Sequence, residues 1–200
     1  MPSPADFVEL LVGRKPDHLD PISEAELARG RRTGPLMGRK LQVLVRATRA
    51  YYILELGAAL GFTGLRMLSS LGSTGRLDTI ESDPAFAKEA EANFANNGFA
   101  DRTRVHAASP ERVVPGLNGP YDLIVLHAPI ATLTTLYEDL VRLLRTGGSL
   151  FFSNLTDANA EAAAGAEGPG LAFLNRLEAD DRIALHISRD MDDALATRIR

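Results

Sequence analysis

Residues 51–71 combine a short apolar segment, a glycine-containing turn and a helical pattern. Residues 51–56 are mostly apolar and predict a buried strand, and Gly57 and Gly61 mark a turn. From Thr63 onward, the apolar residues at 65, 68 and 71 have helical spacing. Because the first amides of a helix have no partners within it, this arrangement predicts a binding site for a polar ligand.

Two acidic residues indicate which ligand the turn would bind. Glu55 lies within the end of the first predicted strand, where a carboxylate would repel a pyrophosphate but suit a cation. Glu81 ends the next predicted strand and is placed to accept hydrogen bonds from both hydroxyls of a ribose. Ala59 replaces the middle glycine of a dinucleotide fingerprint, which argues against a nicotinamide-dependent oxidoreductase.

Length and composition indicate one globular domain. The 200 residues can bury a substantial core, and 45% hydrophobic and 24% charged residues are ordinary values. The chain has no cysteine, which excludes disulfides. No apolar segment has the length of a membrane span and no signal peptide is recognised, so we expect a cytoplasmic protein without a membrane partner.

Predicted strands and helices alternate along the chain, which indicates an α/β fold with a doubly wound, mostly parallel sheet. The last two strands are close in sequence and should be antiparallel. Residues 1–34 are expected to form a helical appendage that covers substrate or builds a dimer contact, with Ser23 and Glu26 as a capping box; residues 35–200 form the main domain. The predicted strands are 51–56, 76–81, 103–107, 121–126, 149–153, 182–188 and 194–199, and the longer helices after the appendage are 36–48, 63–71, 84–96, 132–145 and 171–178.

Four segments together resemble the class I S-adenosylmethionine-dependent methyltransferases, most closely the catechol and caffeoyl-CoA O-methyltransferase family. The segments are Glu55–Thr63, Thr79–Pro84, Tyr121–Leu126 and Leu143–Leu150. The resemblance covers the chain from about Gly34 onward. It implies a seven-stranded Rossmann-like sheet with its last strand antiparallel, S-adenosylmethionine as cofactor and S-adenosylhomocysteine as product.

The resemblance also implies cofactor-binding residues. Glu55 would face the amino-acid part of the cofactor, Thr63 would bind its carboxylate, and Glu81 would bind the ribose hydroxyls. Ser109 and its neighbours would flank the adenine. The complete expected set is Thr33, Gly34, Glu55, Gly57, Ala58, Ala59, Gly61, Phe62, Thr63, Glu81, Ser82, Ala108, Ser109 and His127.

The chain departs from this family where its metal-dependent members bind magnesium. They use an Asp after the fourth strand and an Asp-Asn pair after the fifth; here these positions are His127 and Ser153-Asn154. Ile130 replaces the lysine that serves the family as a general base. Because both carboxylates are lost, we expect no divalent metal.

His127 has two interpretations. A neutral imidazole near the reacting methyl group could accept a proton from a hydroxyl, which would make His127 the catalytic base. Alternatively, it is a structural histidine that packs against the cofactor. The favoured hypothesis is a metal-independent O-methyltransferase that acts on a small molecule. An RNA methyltransferase and a non-catalytic S-adenosylmethionine-binding protein remain as alternatives.

The distribution of charge along the chain indicates the chemical class of the partner. Seven cations and no acid lie between Arg29 and Leu54, although the net charge of the whole chain is −4. The overall acidity argues against nucleic acid as a partner, while the basic segment predicts an anionic acceptor or a solvated helix surface. A homodimer is expected from the resemblance.

Overall fold

The computed structural model describes residues 17–31, 34–153, 155, 168–188 and 193–200. None of the helices in these ranges is long and apolar enough to cross a membrane. Two 3-10 turns, Ala100–Arg102 and Val114–Gly116, accompany the longer elements. The helices are α1 (Asp20–Ala28), α2 (Pro35–Thr48), α3 (Phe62–Leu68), α4 (Pro84–Asn96), α5 (Pro110–Val113), α6 (Ile130–Leu143) and α7 (Pro169–Ala179), and the strands are β1 (Tyr52–Leu56), β2 (Arg76–Glu81), β3 (Thr103–Ala107), β4 (Tyr121–Leu126), β5 (Leu144–Ser153), β6 (Ile183–Ser188) and β7 (Asp193–Arg198).

The seven strands form one sheet in the order β3-β2-β1-β4-β5-β7-β6. The first five strands pair in parallel, whereas β7 is antiparallel to both of its neighbours, β5 and β6. The predicted doubly wound sheet with an antiparallel last strand is therefore confirmed. The strand order reverses between β1 and β4, and such a reversal opens a ligand-binding crevice beyond the carboxyl ends of the two strands.

Apolar side chains cover both faces of the sheet. On one face, Leu41 of α2, Leu65 of α3 and Phe94 of α4 pack against alternate residues of the central strands. On the other, Leu136 of α6 and Phe173 of α7 pack against the intervening residues. This two-sided burial explains the continuous apolar pattern of the central strands and fixes which face each polar side chain near a strand end must occupy.

Two predicted boundaries are wrong: the end of the helix 132–145 and the start of the strand 149–153. Helix α6 ends at Leu143, and the next residue, Leu144, is already extended. Strand β5 therefore begins five residues earlier than expected. Gly147 within this strand has φ +77°, and the pairing of β4 with β5 shifts register nearby. Gly147 therefore forms an irregularity inside the strand, where a positive φ favours glycine.

The predicted capping box in the N-terminal segment is also wrong. Helix α1 starts at Asp20, three residues before Ser23, and has Pro21 in its first turn, a position that suits proline. Ser23 and Glu26 both lie inside the helix and are buried. The side chain of Asp17 accepts the amide of Leu19 at 3.0 Å at the start of the segment. The expected division of the chain at residue 34 stays a prediction.

Candidate functional site

The turn between β1 and α3 has backbone conformations that residues other than glycine rarely adopt. Gly57 and Gly61 have φ of +94° and +90°, and Ala59 between them has φ +48°. A Cβ atom added to Gly57 would lie 3.1 Å from Cβ of His127. Backbone conformation therefore favours glycine at both positions, and the close approach of the segment after β4 also favours it at position 57.

Three buried carboxylates surround this turn: Glu26 from α1, Glu55 from β1 and Glu81 from β2. The exposed fractions of these residues are 0%, 0% and 4%. Oε1 of Glu26 accepts the amides of Leu60 at 2.9 Å and Phe62 at 3.1 Å, at the start of α3. The positive end of a helix thus offsets part of this negative charge, and the whole arrangement suits a ligand that carries positive charge.

Glu81 lies beside the turn, as the sequence predicted. Its Oε2 accepts the amide of Ala59 at 2.8 Å, and its Oε1 accepts the amide of Asp83 at 3.0 Å. Arg31 approaches the same Oε1 at 3.8 Å and stacks over the ring of Phe86. The segment after α1 therefore contacts the predicted ribose-binding residue.

Glu55 lies beneath the turn and is completely buried. Thr63 donates to its Oε1 at 2.6 Å and Thr79 donates to its Oε2 at 2.8 Å. Burial raises the pKa of Glu55 to about 7, and the nearby charges of Glu26 and Glu81 act in the same direction, against the two hydroxyl hydrogen bonds. A cation brought to this site would favour the ionised carboxylate.

His127 follows β4 and contacts the ends of the neighbouring strands. Its Nδ1 lies 2.5 Å from Oγ of Ser153, the last residue of β5, and its Nε2 lies 3.9 Å from Oε1 of Glu55. Burial lowers the pKa of His127 to about 4, so the imidazole is neutral at physiological pH. The structure thus joins the predicted catalytic residue to a predicted cofactor residue.

The other predicted cofactor residues lie around the same edge of the sheet. Gly34 is the residue that precedes α2. Ala58 and Phe62 are buried in the turn, and Ala108 and Ser109 connect β3 to α5. Ser82 follows Glu81 and is exposed, whereas Thr33 lies outside the described residues. The roles of all these residues toward a cofactor stay predictions.

The sequence analysis missed two contributions to this edge. Glu26 was interpreted as a local helix cap, although Leu19, Ser23 and Glu26 recur at helical spacing and all three are buried. That spacing is the signal that places an acid on the inward side of α1. Lys40 of α2 pairs with Asp193 at the start of β7, opposite Ser153 in the adjoining strand. No local pattern predicts a pair so distant in sequence.

The described positions that correspond to the family's magnesium site have a different donor set. His127 and Ser153 hydrogen-bond to each other, and Ile130 begins α6. Asn154 lies outside the described residues. Within the described ranges, no three His, Cys, Asp or Glu residues are grouped so that they could hold a metal ion. A hydroxyl and a neutral imidazole are poor replacements for two carboxylates around a hard cation, so these residues do not fit magnesium.

Comparison with known proteins identifies the family. The model of the O-methyltransferase family matches residues 26–190. The catechol O-methyltransferase of Niastella koreensis is 30% identical over 125 residues, which are 60% of this chain and 57% of that protein. The chain therefore spans little more than half the length of this relative.

Two solved structures share the fold. One is the O-methyltransferase TomG from Streptomyces achromogenes in complex with SAM, with a TM-score of 0.81, 23% identity and coverage of 97% of this chain and 94% of that one. The other is the O-methyltransferase from Bacillus cereus in complex with SAH, with a TM-score of 0.83, 20% identity and coverage of 97% and 96%. These structures share the fold, and the family match over residues 26–190 shows that the chain belongs to the O-methyltransferase family.

Proposed function

We propose that this chain transfers a methyl group from S-adenosylmethionine to a hydroxyl of a small molecule without the help of a divalent metal. The observation that carries the cofactor assignment is the set of three buried carboxylates around one glycine turn. S-adenosylmethionine carries a sulfonium and an ammonium group, and both are attracted to such a site. Its ribose hydroxyls would bind Glu81.

Other residues of the turn would determine how the cofactor lies. Gly57 and Gly61 leave room for it. The hydroxyl of Thr63 donates to Glu55, so it would have to release Glu55 to bind the cofactor carboxylate. When bound, S-adenosylmethionine supplies an electrophilic methyl group. The chain's own contribution would be to fix the acceptor oxygen in line with that group, because orientation alone can account for a large part of the rate enhancement.

The catalytic role of His127 stays a hypothesis. As a base, it would have to receive the acceptor's proton on Nε2, because Nδ1 already contacts Ser153. Nε2 is buried, has no hydrogen-bond partner among the described residues and faces Glu55. This geometry supports the alternative in which His127 positions the cofactor site and the proton leaves to solvent or to another group.

Calorimetry and a methyl-transfer assay test the proposal. The protein should bind S-adenosylmethionine and S-adenosylhomocysteine, and Glu81→Ala should weaken binding of both because the ribose contacts are lost. Tight binding of NAD with no response to either adenosyl ligand would overturn the cofactor assignment. Phenols and catechols, with and without a carboxylate, provide the acceptor panel, and transfer RNA provides the arm for the alternative substrate.

The proposal includes an anionic acceptor and a homodimer. Within the basic segment, Arg29, Arg31 and Lys40 contact Glu89, Glu81 and Asp193. Arg39, in the first half of α2, is the residue on which we test the selection of an anion. Measurement of the molar mass in solution tests the dimer directly.

A further inference from the structure

Two buried titratable groups, Glu55 and His127, approach each other at the centre of the site. Oε1 of Glu55 and Nε2 of His127 are 3.9 Å apart, with side-chain exposures of 0% and 8%. The strand register explains the approach: Glu55 lies beside Val125, and His127 follows two residues later on the same face of the sheet. The pair is thus held by the backbone of β1 and β4.

The other contacts of His127 decide where its own hydrogen lies. The hydroxyl of Ser153 lies 3.3 Å from the carbonyl of Leu126 and 2.5 Å from Nδ1 of His127. When this hydroxyl donates to the carbonyl, its oxygen accepts a hydrogen from Nδ1. A neutral ring with hydrogen on Nδ1 presents a bare lone pair at Nε2. That lone pair faces Glu55 and has no partner among the described residues.

The charged groups around Glu55 favour the neutral form of its carboxyl, which lies opposite Nε2 of His127. Glu26 of α1 and Glu81 of β2 both act against a charge on Glu55, whereas Thr63 of α3 and Thr79 of β2 donate to it. Beyond Ser153, Asp193 of β7 is paired with Lys40 of α2. Burial raises the pKa of Glu55 to about 7 and lowers that of His127 to about 4, so a neutral pair is preferred to an ion pair.

We propose that Glu55, completely buried beside Glu26, Glu81 and His127, carries a proton in the free protein and that cofactor binding expels this proton to solvent. The step is a simple ionisation: the O–H bond of Glu55 breaks, the proton goes to a buffer base, and no bond of the cofactor changes. The inference rests on the proposed cofactor site. Cofactor binding would expel the proton because the positive groups of S-adenosylmethionine stabilise the Glu55 carboxylate and oppose protonation of His127.

Calorimetry in two buffers with different heats of ionisation, such as phosphate and Tris, measures the expelled proton. In the wild type, S-adenosylmethionine should release close to one proton at pH 6, about half a proton near pH 7, and almost none at pH 8.5. As pH rises toward 7, its Kd should fall roughly tenfold per pH unit. Above pH 7 the Kd should level off. Binding with no proton release between pH 6 and 8.5 overturns the inference, whereas absence of binding overturns the cofactor site itself.

Two variants assign the proton to its residue. Glu55→Gln should bring the proton count close to zero at every pH, while Glu178→Gln, which changes an exposed carboxyl of α7, should leave the count as in the wild type. An unchanged count in the Glu55 variant would overturn the assignment.

A second measurement on the unmodified chain avoids dependence on the folding of a variant. Nitrogen-15 NMR of labelled histidines reports the tautomer and charge of each ring, and the His127→Asn spectrum identifies the His127 signal. We expect a neutral His127 ring with hydrogen on Nδ1 from pH 5.5 to 8, and a shift of its Nε2 signal on cofactor binding. An imidazolium at pH 7, or hydrogen on Nε2, would contradict the proposal.

Discussion

Nδ1 of His127 and Oγ of Ser153 lie 2.5 Å apart, at the two positions where metal-dependent members of the family have carboxylates. The hydrogen bond joins the end of β5 to the segment after β4 and occupies both side chains. A divalent cation would have to break this contact and would obtain no negative charge from either residue. The geometry therefore supports an enzyme that orients its acceptor by other means.

Metal independence leads to the first prediction. Methyl transfer should be unchanged after treatment with EDTA, because neither His127 nor Ser153 offers a charged oxygen ligand. The double change His127→Asp and Ser153→Asp restores two carboxylates and should make the thermal midpoint rise on addition of Mg²⁺, an effect that the unmodified chain should lack. Activity that EDTA abolishes and Mg²⁺ restores in the unmodified chain would contradict this account.

The second prediction concerns Glu26, which connects α1 to the cofactor turn. Glu26→Ala removes the acceptor of two buried amides, those of Leu60 and Phe62, and should lower the free energy of unfolding by about 1–3 kcal/mol. Cofactor affinity should fall as well, because the turn loses its support. Chemical denaturation and calorimetry measure the two effects.

Glu24→Ala is the matched control, since Glu24 is exposed on the same helix and has the same charge. Its effects on stability and on cofactor affinity should be small. Equal effects of the two changes would show that the charge of α1, rather than the contact with the turn, is what matters.

Glu26 also shows what sequence reasoning could and could not determine. The predicted strands, the antiparallel last strand and the glycine turn followed from apolar periodicity, glycine spacing and short connections, because these features depend on neighbours in sequence. The partners of Glu26, Lys40 and His127 lie 26 to 153 positions away, and only the assembled sheet brings them together. The one available signal was the helical spacing of Glu26 with apolar residues. Interpretation of Glu26 as part of a capping box concealed this signal.

The third prediction concerns stability in acid and depends on Asp122 of β4. This carboxylate accepts the amides of Tyr51 and Tyr52 at 2.8 Å each, and Nε of Arg145 at 2.5 Å. Burial acts to raise the pKa of Asp122, but Arg145 and the two amides together outweigh it and hold the pKa below its usual value. A lowered pKa in the folded state stabilises the fold above pH 4, and this contribution is lost as pH falls through the folded pKa.

Asp122→Asn should therefore lower the free energy of unfolding by about 1–3 kcal/mol at pH 7, and the difference from the unmodified chain should shrink below pH 4. Denaturant titrations from pH 2.5 to 7 measure this dependence. Asp101→Asn, at an exposed position before β3, should show no such trend. A difference that stays constant across the whole pH range would mean that packing, not ionisation, accounts for the loss.

The last prediction separates two regions of α2. Since the helix leads into the start of β1, its first turns lie toward the cofactor edge of the sheet and its last turn toward the opposite edge. Lys40 confirms this direction through its contact with Asp193, opposite Ser153. Arg39 is thus near the proposed acceptor site, whereas Arg46 is exposed about 10 Å further along the helix.

If the acceptor is anionic, Arg39→Glu should lower kcat/KM for an acidic phenol by about tenfold at low salt, and the loss should diminish as ionic strength rises. Arg46→Glu makes the same change of charge on the same helix and should leave kcat/KM and its salt dependence close to those of the unmodified chain. A neutral phenol tested in parallel should respond weakly to both changes. Equal losses in the two variants would indicate a long-range effect of net charge, and no loss in either would show that α2 does not select the acceptor.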